Sequence, residues 1–590
     1  MEEKWTVYAK RADFNEIGIK YGIDPVVARV IRNRDIVGDE AIEKYLHGDM
    51  SDVHDPSLMK DMDKGCRIMA KKIREGKKVR IVSDYDVDGI TSNYILYKGL
   101  LEAGADVSYE IPDRMMDGYG INKRIIDDAK ADGVDTIITC DNGITAFEAI
   151  ETAKAYDMTV IVTDHHDVPF EIGENGQKKY KMVKADAIID AKQADCKYPF
   201  KEICGAGVAY KFIRHLYSIM DIEWDDEDKY IDMLGLATVC DVVSLKDENR
   251  IFAKRALEII KDTKNKGLKA LLRVNGLLEK KMAAYHFGYI IGPCLNATGR
   301  LESAKMGLSL LLSDDEEFIN AQAEEIKEIN ASRKLMTEEG TKRAFKIVEE
   351  KYKDDVIKVV YIPELHESLT GIVAGKIKEK YYRPALVFTD TESGILKGSG
   401  RSIDGYNMGE ELNYVADLFV RVGGHEMAAG FSIEKDKLDL LRKKLNDDHK
   451  LTEDDLTYKV RIDVAMPFSY ITEKLINELD LLEPYGKDNP KALFAQSGVS
   501  IVEIKFRGKD NAVGAITLQD KEGFRIKAID FHINSLLESI KMWFGEQECD
   551  KMLKGQPNNV RINVAYHPQI NSFNGKTSIE ITPTNYQKTE

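Results

Sequence analysis

Hydrophobic positions along the chain fall into blocks with different periods. The first fifty or so residues predict a short helical extension (1–50) with no chemical motif. From about residue 78, compact apolar runs alternate with helical stretches of roughly twelve residues. "KKVRIVSDYD" has the pattern of a buried strand and is followed by the helical "GITSNYILYKGLLEAG". "VDTIITCDNG" precedes "ITAFEAIETAKAYD", "MTVIVTDHH" closes the next strand, and "KADAIID" adds another. This alternation predicts an α/β domain over 51–313 built on a doubly wound parallel sheet.

Residues 314–352 are rich in Glu, Lys and Ala and lack Pro, which predicts a long solvated connecting helix, in one or two pieces. A smaller α/β block follows over 353–452, with strands at "VIKVVYI" and "PALVFTD" and a Gly-rich region from Gly394 to Gly430. Beyond it, short evenly spaced strands such as "GVSIVEIKFRG", "FRIKAIDF" and "NVRINVAYH" predict a β-barrel over 453–590.

Composition narrows the class. A chain of 590 residues with 43% hydrophobic and 32% charged residues is a folded multidomain protein. No apolar run approaches the roughly 18–20 residues that span a bilayer, so no membrane partner is expected. The charged N-terminus lacks the apolar stretch of a secretory signal. The seven cysteines form no Cys-x-x-Cys pair, which argues against a disulfide framework and for a cytoplasmic location. A net charge of −16 argues against non-specific coating of nucleic acid, leaves room for a local basic groove, and suits a site that concentrates carboxylates.

The acids fall at particular places. Asp84, Asp86 and Asp88 lie in "SDYDVDG", Asp141 follows "TIITC", Asp164, His165 and His166 follow "VIVT", and Asp241 follows "LGLATVC". Four apolar, strand-like segments thus end in Asp or Asp-His-His. Singly, each acid reads as a helix cap or turn residue. Jointly, they would meet where the carboxyl ends of parallel strands form a ligand crevice. Crowded carboxylates repel one another unless cations neutralise them. Oxygen ligands with an imidazole suit Mn²⁺ or Mg²⁺, and this many ligands suits two ions.

The same residues carry a family resemblance. "DYDVDGITS", "CDNGI", "TDHH" and "ATVCDVVSL" resemble the four ordered motifs of the DHH phosphoesterase superfamily. "PDRMMDGYG", "GPCLNATGRL", "KGSGRS", "GGHEMAAGF" and "LLEPYGKDNPKALF" resemble the single-strand-specific exonucleases of the RecJ family. "PELHESLTG" departs from the family pattern in lacking the Trp that often precedes His366.

The resemblance implies a DHH domain, a connecting helix, a DHHA1 domain and an OB-type barrel. It implies that Asp86 and Asp141 hold one metal with Asp84 close by, and that Asp88, Asp141, His165 and Asp241 hold the other. Asp164 would orient an imidazole, and His166 would meet the substrate phosphate or tune the site. Arg114, Ser399 and Arg401 would form a pocket for a 5′ phosphate, with the KGSGRS loop approaching it closely. Asn296 and Arg300 would contact the backbone of the scissile nucleotide. His366 and His425 would contact phosphate, His425 being presented by a tight turn at Gly423 and Gly424. On the barrel, Lys505, Arg507, Lys509, Arg525 and Lys527 near Phe506 and Phe524 suit a single strand held without sequence preference.

The expected activity is metal-dependent 5′→3′ hydrolysis of single-stranded DNA to 5′-mononucleotides, in repair and recombination. A helicase and a single-strand-binding protein are partners implied by the resemblance alone. A DHH hydrolase of short oligonucleotides or small phosphate esters, and a non-catalytic replication scaffold, are the competing readings.

Overall fold

A computed structural model describes residues 3–589 apart from 115, 119, 174–176, 509–511 and 574, with the backbone alone at 573 and 576. The chain forms two compact units, one of Met50–Tyr458 and one of Lys4–Asp49 with Lys459–Glu590. No helix among the described residues is long and apolar enough to cross a membrane.

In the first unit, five short strands form a wholly parallel sheet: β1 (Lys78–Ser83), β2 (Asp106–Glu110), β3 (Thr136–Cys140), β4 (Thr159–Thr163) and β5 (Ala187–Ile189). Their apolar residues alternate between two cores. Ile81, Ile138, Ile161 and Ile189 enter one, whereas Val82, Ile137, Val160 and Ile188 enter the other. A sheet covered on both faces needs such continuous apolar strands. The strand order is β2-β1-β3-β4-β5, so the direction of winding reverses between β1 and β3. A crevice therefore opens at the carboxyl ends of those two strands, where Asp84 and Asp141 lie.

Helices α1 (Val87–Glu102), α2 (Lys123–Ala131), α3 (Phe147–Ala155), α4 (Gly205–Met220), α5 (Ile231–Cys240) and α6 (Gly292–Leu301) surround the sheet. The segment "LGLATVC" is the last part of α5, a correction to its reading as a strand. Met233, Leu234, Leu236 and Ala237 are all buried, so the helix has no polar face to reveal a 3.6-residue period. Asp241 thus caps a helix and does not end a strand.

One 36-residue helix, α7 (Glu316–Lys351), leads to the second sheet. That sheet comprises β6 (Lys358–Tyr361), β7 (Ala385–Thr389), β8 (Leu396–Arg401), β9 (Phe419–Gly424) and β10 (Ala428–Ile433), in the order β9-β10-β8-β7-β6. Only β6 and β7 pair in parallel, and α8 (Thr370–Tyr381) links them.

In the second unit, β11 (Phe494–Arg507), β12 (Val513–Gln519), β13 (Arg525–Asp530), β14 (Ile562–Phe573) and β15 (Lys576–Lys588) form a closed five-stranded barrel, because β11 pairs with both β12 and β14. Its strands are longer than the short runs expected from sequence. Register shifts at 496–499 and 501–503 let the 14-residue β11 bend through two pairings. The helices at Pro25–Asn33 and Asp39–His47 share the apolar core of this unit through Val27, Ile31, Ile42 and Leu46. A strand at Glu3–Val7 pairs with Tyr458–Ile462.

Behind the first sheet, Lys211 of α4 and Glu248 are fully buried and paired at 2.7 Å, and the Tyr198 hydroxyl also donates to Glu248. Removing one partner strands a buried charge. We expect Glu248→Ala to destabilise the first unit by about 3–5 kcal/mol, read as an earlier urea transition. An unchanged transition would show that Lys211 is neutralised by other means.

Candidate metal centre

Three turns at the carboxyl edge of the first sheet build the site. After β1, Asp86 caps α1, its Oδ1 accepting the Gly89 N–H at 3.1 Å. A side chain at Gly89 would place its Cβ 2.2 Å from the Asp84 carbonyl oxygen, so this turn admits only glycine. After β3, Asp141 adopts a left-handed conformation with φ of 59°. Asn142 fixes that turn by donating to the Val82 and Cys140 carbonyls at 3.0 and 2.9 Å and accepting from the Ile121 N–H. After β4, Asp164 accepts from the Ile144 N–H and the His165 N–H, and from His166 Nδ1 at 2.7 Å.

The turns converge. His165 Nε2 lies 3.0 Å from Asp141 Oδ1, 3.5 Å from Asp88 Oδ2 and 3.7 Å from Asp241 Oδ2. Asp88 itself is anchored at the N-terminus of α4, accepting from the Gly205 and Ala206 N–H groups at 2.6 and 2.7 Å. Gly205 is required there, since a Cβ would come 2.7 Å from that of Asp141. Three sets of donor atoms each lie within 4.8 Å of one another: Asp84, Asp86 and Asp141; Asp88, His165 and Asp241; and Asp141, His165 and His166. Asp141 belongs to two of them. Asp84 Oδ1 is buried with no hydrogen-bond partner, the state of a carboxylate oxygen that fits a cation.

Electrostatics agree with this fit. Burial, then repulsion from neighbouring acids, pushes Asp84, Asp88, Asp141 and Asp241 well above the usual carboxylate range, Asp88 to about 7. Burial, then the His166 charge, brings His165 down to about 3, so its imidazole is neutral and able to act as a ligand. Burial opposes charge on His166 and Asp164 as well, but their mutual hydrogen bond outweighs it, holding His166 at about 9 and Asp164 at about 2.

Basic side chains gather beside Asp84 and Asp86. Arg114 stacks over the Tyr85 ring at 4.7 Å. Arg300 donates to the Ser368 carbonyl at 2.7 Å. Arg401 donates to the Gly400 carbonyl, and its Nη2 occupies the place of a side chain at Gly371. Ser399 accepts from the Thr370 hydroxyl at 3.3 Å, and His366 Nδ1 lies 2.8 Å from Ser368 Oγ. Burial, with the charges of Arg114 and Arg333, lowers Arg300 to about 10, and burial and Arg114 also lower Arg401 and His366. These shifts identify a cluster of cations near one another.

The structure corrects the local setting of several candidates. KGSGRS is not a loop: Ser399 and Arg401 share one face of strand β8, paired on both sides. Gly398 is needed because a Cβ would meet the Val387 carbonyl at 2.4 Å and the Phe431 ring at 2.6 Å. Gly423 and Gly424 end strand β9 without a positive φ, so they do not form the turn that presents His425. At Gly424 the constraint is the adjacent strand, where a Cβ would lie 2.5 Å from Ala429. His425 sits in the turn beyond, where its charge is felt by Asp167, itself paired with Lys192 at 3.1 Å. Asn296 uses its Oδ1 to accept the Val87 N–H at 3.1 Å, capping the helix that bears Asp88.

Sequence reasoning missed Asp190, Asn142, Tyr85 and Arg333. Asp190 follows β5, and burial and then Asp164 raise it to about 8. The strand-end rule that selected Asp141 and Asp164 would have found it. On the barrel, Lys505, Arg507, Arg525 and Lys527 project from one outer face of β11, β12 and β13, and Phe506 and Phe524 are exposed. Lys509 lies outside the described residues.

Three family models match the chain in order: the DHH family N-terminal domain at 78–238, the DHHA1 domain at 354–450 and the RecJ OB domain at 462–584. The single-stranded-DNA-specific exonuclease RecJ of Escherichia coli (strain K12) is 30% identical over 581 residues, covering 95% of this chain and 95% of that protein. The chain belongs to the RecJ family. The RecJ of Bacillus subtilis (strain 168) is 33% identical over 521 residues, 88% of this chain, which spans only 64% of that longer relative. The crystal structure of RecJ in complex with Mn²⁺ from Thermus thermophilus shares the fold, with a TM-score of 0.81 and 24% identity over 100% of this chain and 80% of that one.

Because the RecJ-type acid cluster is partly protonated near neutrality, a cation that favours the ionised form must expel protons as it binds. We therefore expect Mn²⁺ binding to release protons at pH 6.5, and Mn²⁺ affinity to rise with pH through about 7. Titration calorimetry in two buffers of different ionisation enthalpy measures this. Binding without proton release would mean that the acids are already ionised without metal.

Proposed function

We propose that this chain is a metal-dependent 5′→3′ exonuclease that degrades single-stranded DNA to 5′-mononucleotides, acting in DNA repair and recombination. The observation that carries the reading is a buried acid cluster at the switch point of the sheet, lying beside a cluster of arginines. Anions and cations placed side by side suit a substrate whose terminal phosphate is held while an adjacent phosphodiester meets a metal centre. Family membership and the barrel support the same reading. The competing readings, a small-ester hydrolase and a scaffold that has lost its ligands, are not favoured: every candidate ligand is retained and the C-terminal barrel matches the RecJ OB domain.

Asp84, Asp86 and Asp141 would hold one Mn²⁺ or Mg²⁺ ion, and Asp88, Asp141, His165 and Asp241 the other, with Asp141 shared. Such a pair supplies a water of lowered pKa and neutralises charge on the phosphate. The protein's own residues then set geometry and protonation. Asp164 accepts from His166 Nδ1 and orients the imidazole, and His166 meets the substrate phosphate or tunes the site. Arg114, Ser399 and Arg401 grip the 5′ phosphate by charge-assisted hydrogen bonds. Arg300 and the remaining amide donor of Asn296 contact the backbone of the first nucleotide. His366 and His425 reach phosphates from the second domain, and the bare backbone at Gly424 admits the strand. The outer basic face of the barrel suits a single strand held without sequence preference. A cytoplasmic setting, supported by seven free cysteines, belongs to the same proposal, as does action beside a helicase and a single-strand-binding protein.

End-labelled strands test this directly. The wild type should release mononucleotides from the 5′ end of single strands in Mn²⁺ and leave duplex ends intact, and Asp141→Ala should abolish release while preserving the fold by circular dichroism. Release from the 3′ end, or normal digestion by Asp141→Ala, would sink the reading.

Arg401→Ala should erase most of the preference for a 5′-phosphate over a 5′-hydroxyl end. Losing one charged hydrogen-bonding group worth about 1.5–3 kcal/mol predicts a change of roughly tenfold or more in that ratio. An unchanged ratio would remove Arg401 from the pocket.

A further inference from the structure

Helix α6 does not begin abruptly at Gly292. It continues from a helical turn at Ala284–His286 through a π-helical turn at Phe287–Ile291. A single rod therefore runs from residue 284 to 301, roughly 25 Å at about 1.5 Å per residue. Its C-terminal end carries Arg300, which feels the charges of Arg114 and Asp86. One turn earlier, Asn296 caps the helix that bears Asp88.

The other end of the rod packs on the last turn of α5. The Cys240 thiol donates to the Phe287 carbonyl at 3.4 Å, a Cβ on Gly288 would lie 3.7 Å from Val239, and one on Gly292 would lie 2.4 Å from the Cys240 sulfur. Asp241 is the next residue. The rod thus borders the whole acid cluster, from the Asp241 side to the Asp86 side.

On the Asp241 side two tyrosines stand out. Tyr285 and Tyr289 are 61% and 69% exposed, and their rings stack at 5.1 Å with an interplanar angle of 19°. Val242, just past Asp241, is also exposed. Two large aromatic rings left in water, one on the π-helical turn and one just before it, are the kind of feature that function retains. The exposed Lys280 and Lys281 precede them and bring positive charge to this end.

We propose that the Tyr285–Tyr289 pair is a stacking platform for bases of the single strand on the 3′ side of the scissile bond. The proposal rests on the exonuclease reading above. With the 5′ phosphate held by Arg114, Ser399 and Arg401 beside Asp84 and Asp86, the strand crosses the acid cluster and leaves past Asp241, towards the two rings. Stacking uses the π-face that every base has, so the platform tolerates any sequence, as a digester of arbitrary strands requires. It also orients the scissile phosphate by holding the nucleotides that follow it.

The test compares the full-length wild type, Y285A/Y289A and Y285F/Y289F in Mn²⁺ on 5′-phosphorylated oligothymidylate, intact or with one abasic residue at positions two to four. Stacking of about 1–2 kcal/mol predicts that Y285A/Y289A raises KM by about 5- to 30-fold at 1.4 kcal/mol per tenfold, and that Y285F/Y289F restores it. For the wild type, one abasic position should raise KM similarly, and Y285A/Y289A should be insensitive to that same position. An unchanged KM in Y285A/Y289A, or full sensitivity to every abasic site in that variant, overturns the platform. So does a KM effect that Y285F/Y289F fails to restore. A wild type inactive on intact single strands would instead overturn the exonuclease reading, a separate outcome.

Discussion

Mutual repulsion among buried carboxylates is the constraint around which the first unit is organised. Asp84, Asp88 and Asp141 are buried, with Asp86 and Asp241 alongside, and the other four raise the energy of ionising Asp141. A fold can place such groups together only by fixing their backbones independently of their charges. The switch point does this, because β1 and β3 are neighbours whose helices leave in opposite directions. Glycines complete the arrangement by removing side chains where turns would otherwise collide: Gly89 against Asp84, and Gly205 against Asp141 and Asp88. The Gly205 and Ala206 N–H groups at the start of α4 then donate to Asp88, replacing part of its lost hydration.

The two histidines illustrate how neighbouring groups of one chemical type are separated into different roles. His165 lies within reach of three acids, yet burial and the adjacent His166 keep it neutral. His166 gains a hydrogen-bonded partner in Asp164 and holds its proton. One imidazole is neutral and the other charged. A pair of identical side chains in sequence thus acquires opposite chemistry from a single hydrogen bond.

Much of this was legible in the sequence because strand ends are punctuated by composition. A buried parallel strand is a run of Val, Ile and Thr, and the first polar residue after it marks the crevice, which is why Asp84, Asp141 and Asp164 could be placed without coordinates. The rule failed in two instructive ways. The segment before Asp241 is apolar on every side because α5 is enclosed, and an enclosed helix shows no period to distinguish it from a strand. Asp190 obeyed the rule but stood in no recognised motif. Partners such as Arg333 were invisible because a single Arg on a 36-residue charged helix carries no local signal. Ser399 and Arg401 were read in a loop because Gly398 and Gly400 suggested one, whereas these glycines relieve cross-strand crowding in a paired strand.

A net charge of −16 is no obstacle to binding a polyanion once its distribution is considered. The five carboxylates at the centre face roughly four positive charges if two divalent ions bind, leaving the site nearly neutral before substrate arrives. The arginines nearby find few acids among their neighbours: Arg300 and Arg401 donate to main-chain carbonyls, which accept hydrogen bonds without cancelling charge. Elsewhere, acids pair with exposed lysines and arginines, as in Lys123–Asp127 and Arg124–Asp117, pairs worth little to stability. At Arg300 and Arg401, main-chain oxygens and not carboxylates receive the guanidinium groups, so their charge is not cancelled by these hydrogen bonds. Under the proposed function that local charge suits a phosphate, and it is set by hydrogen bonding rather than by total charge.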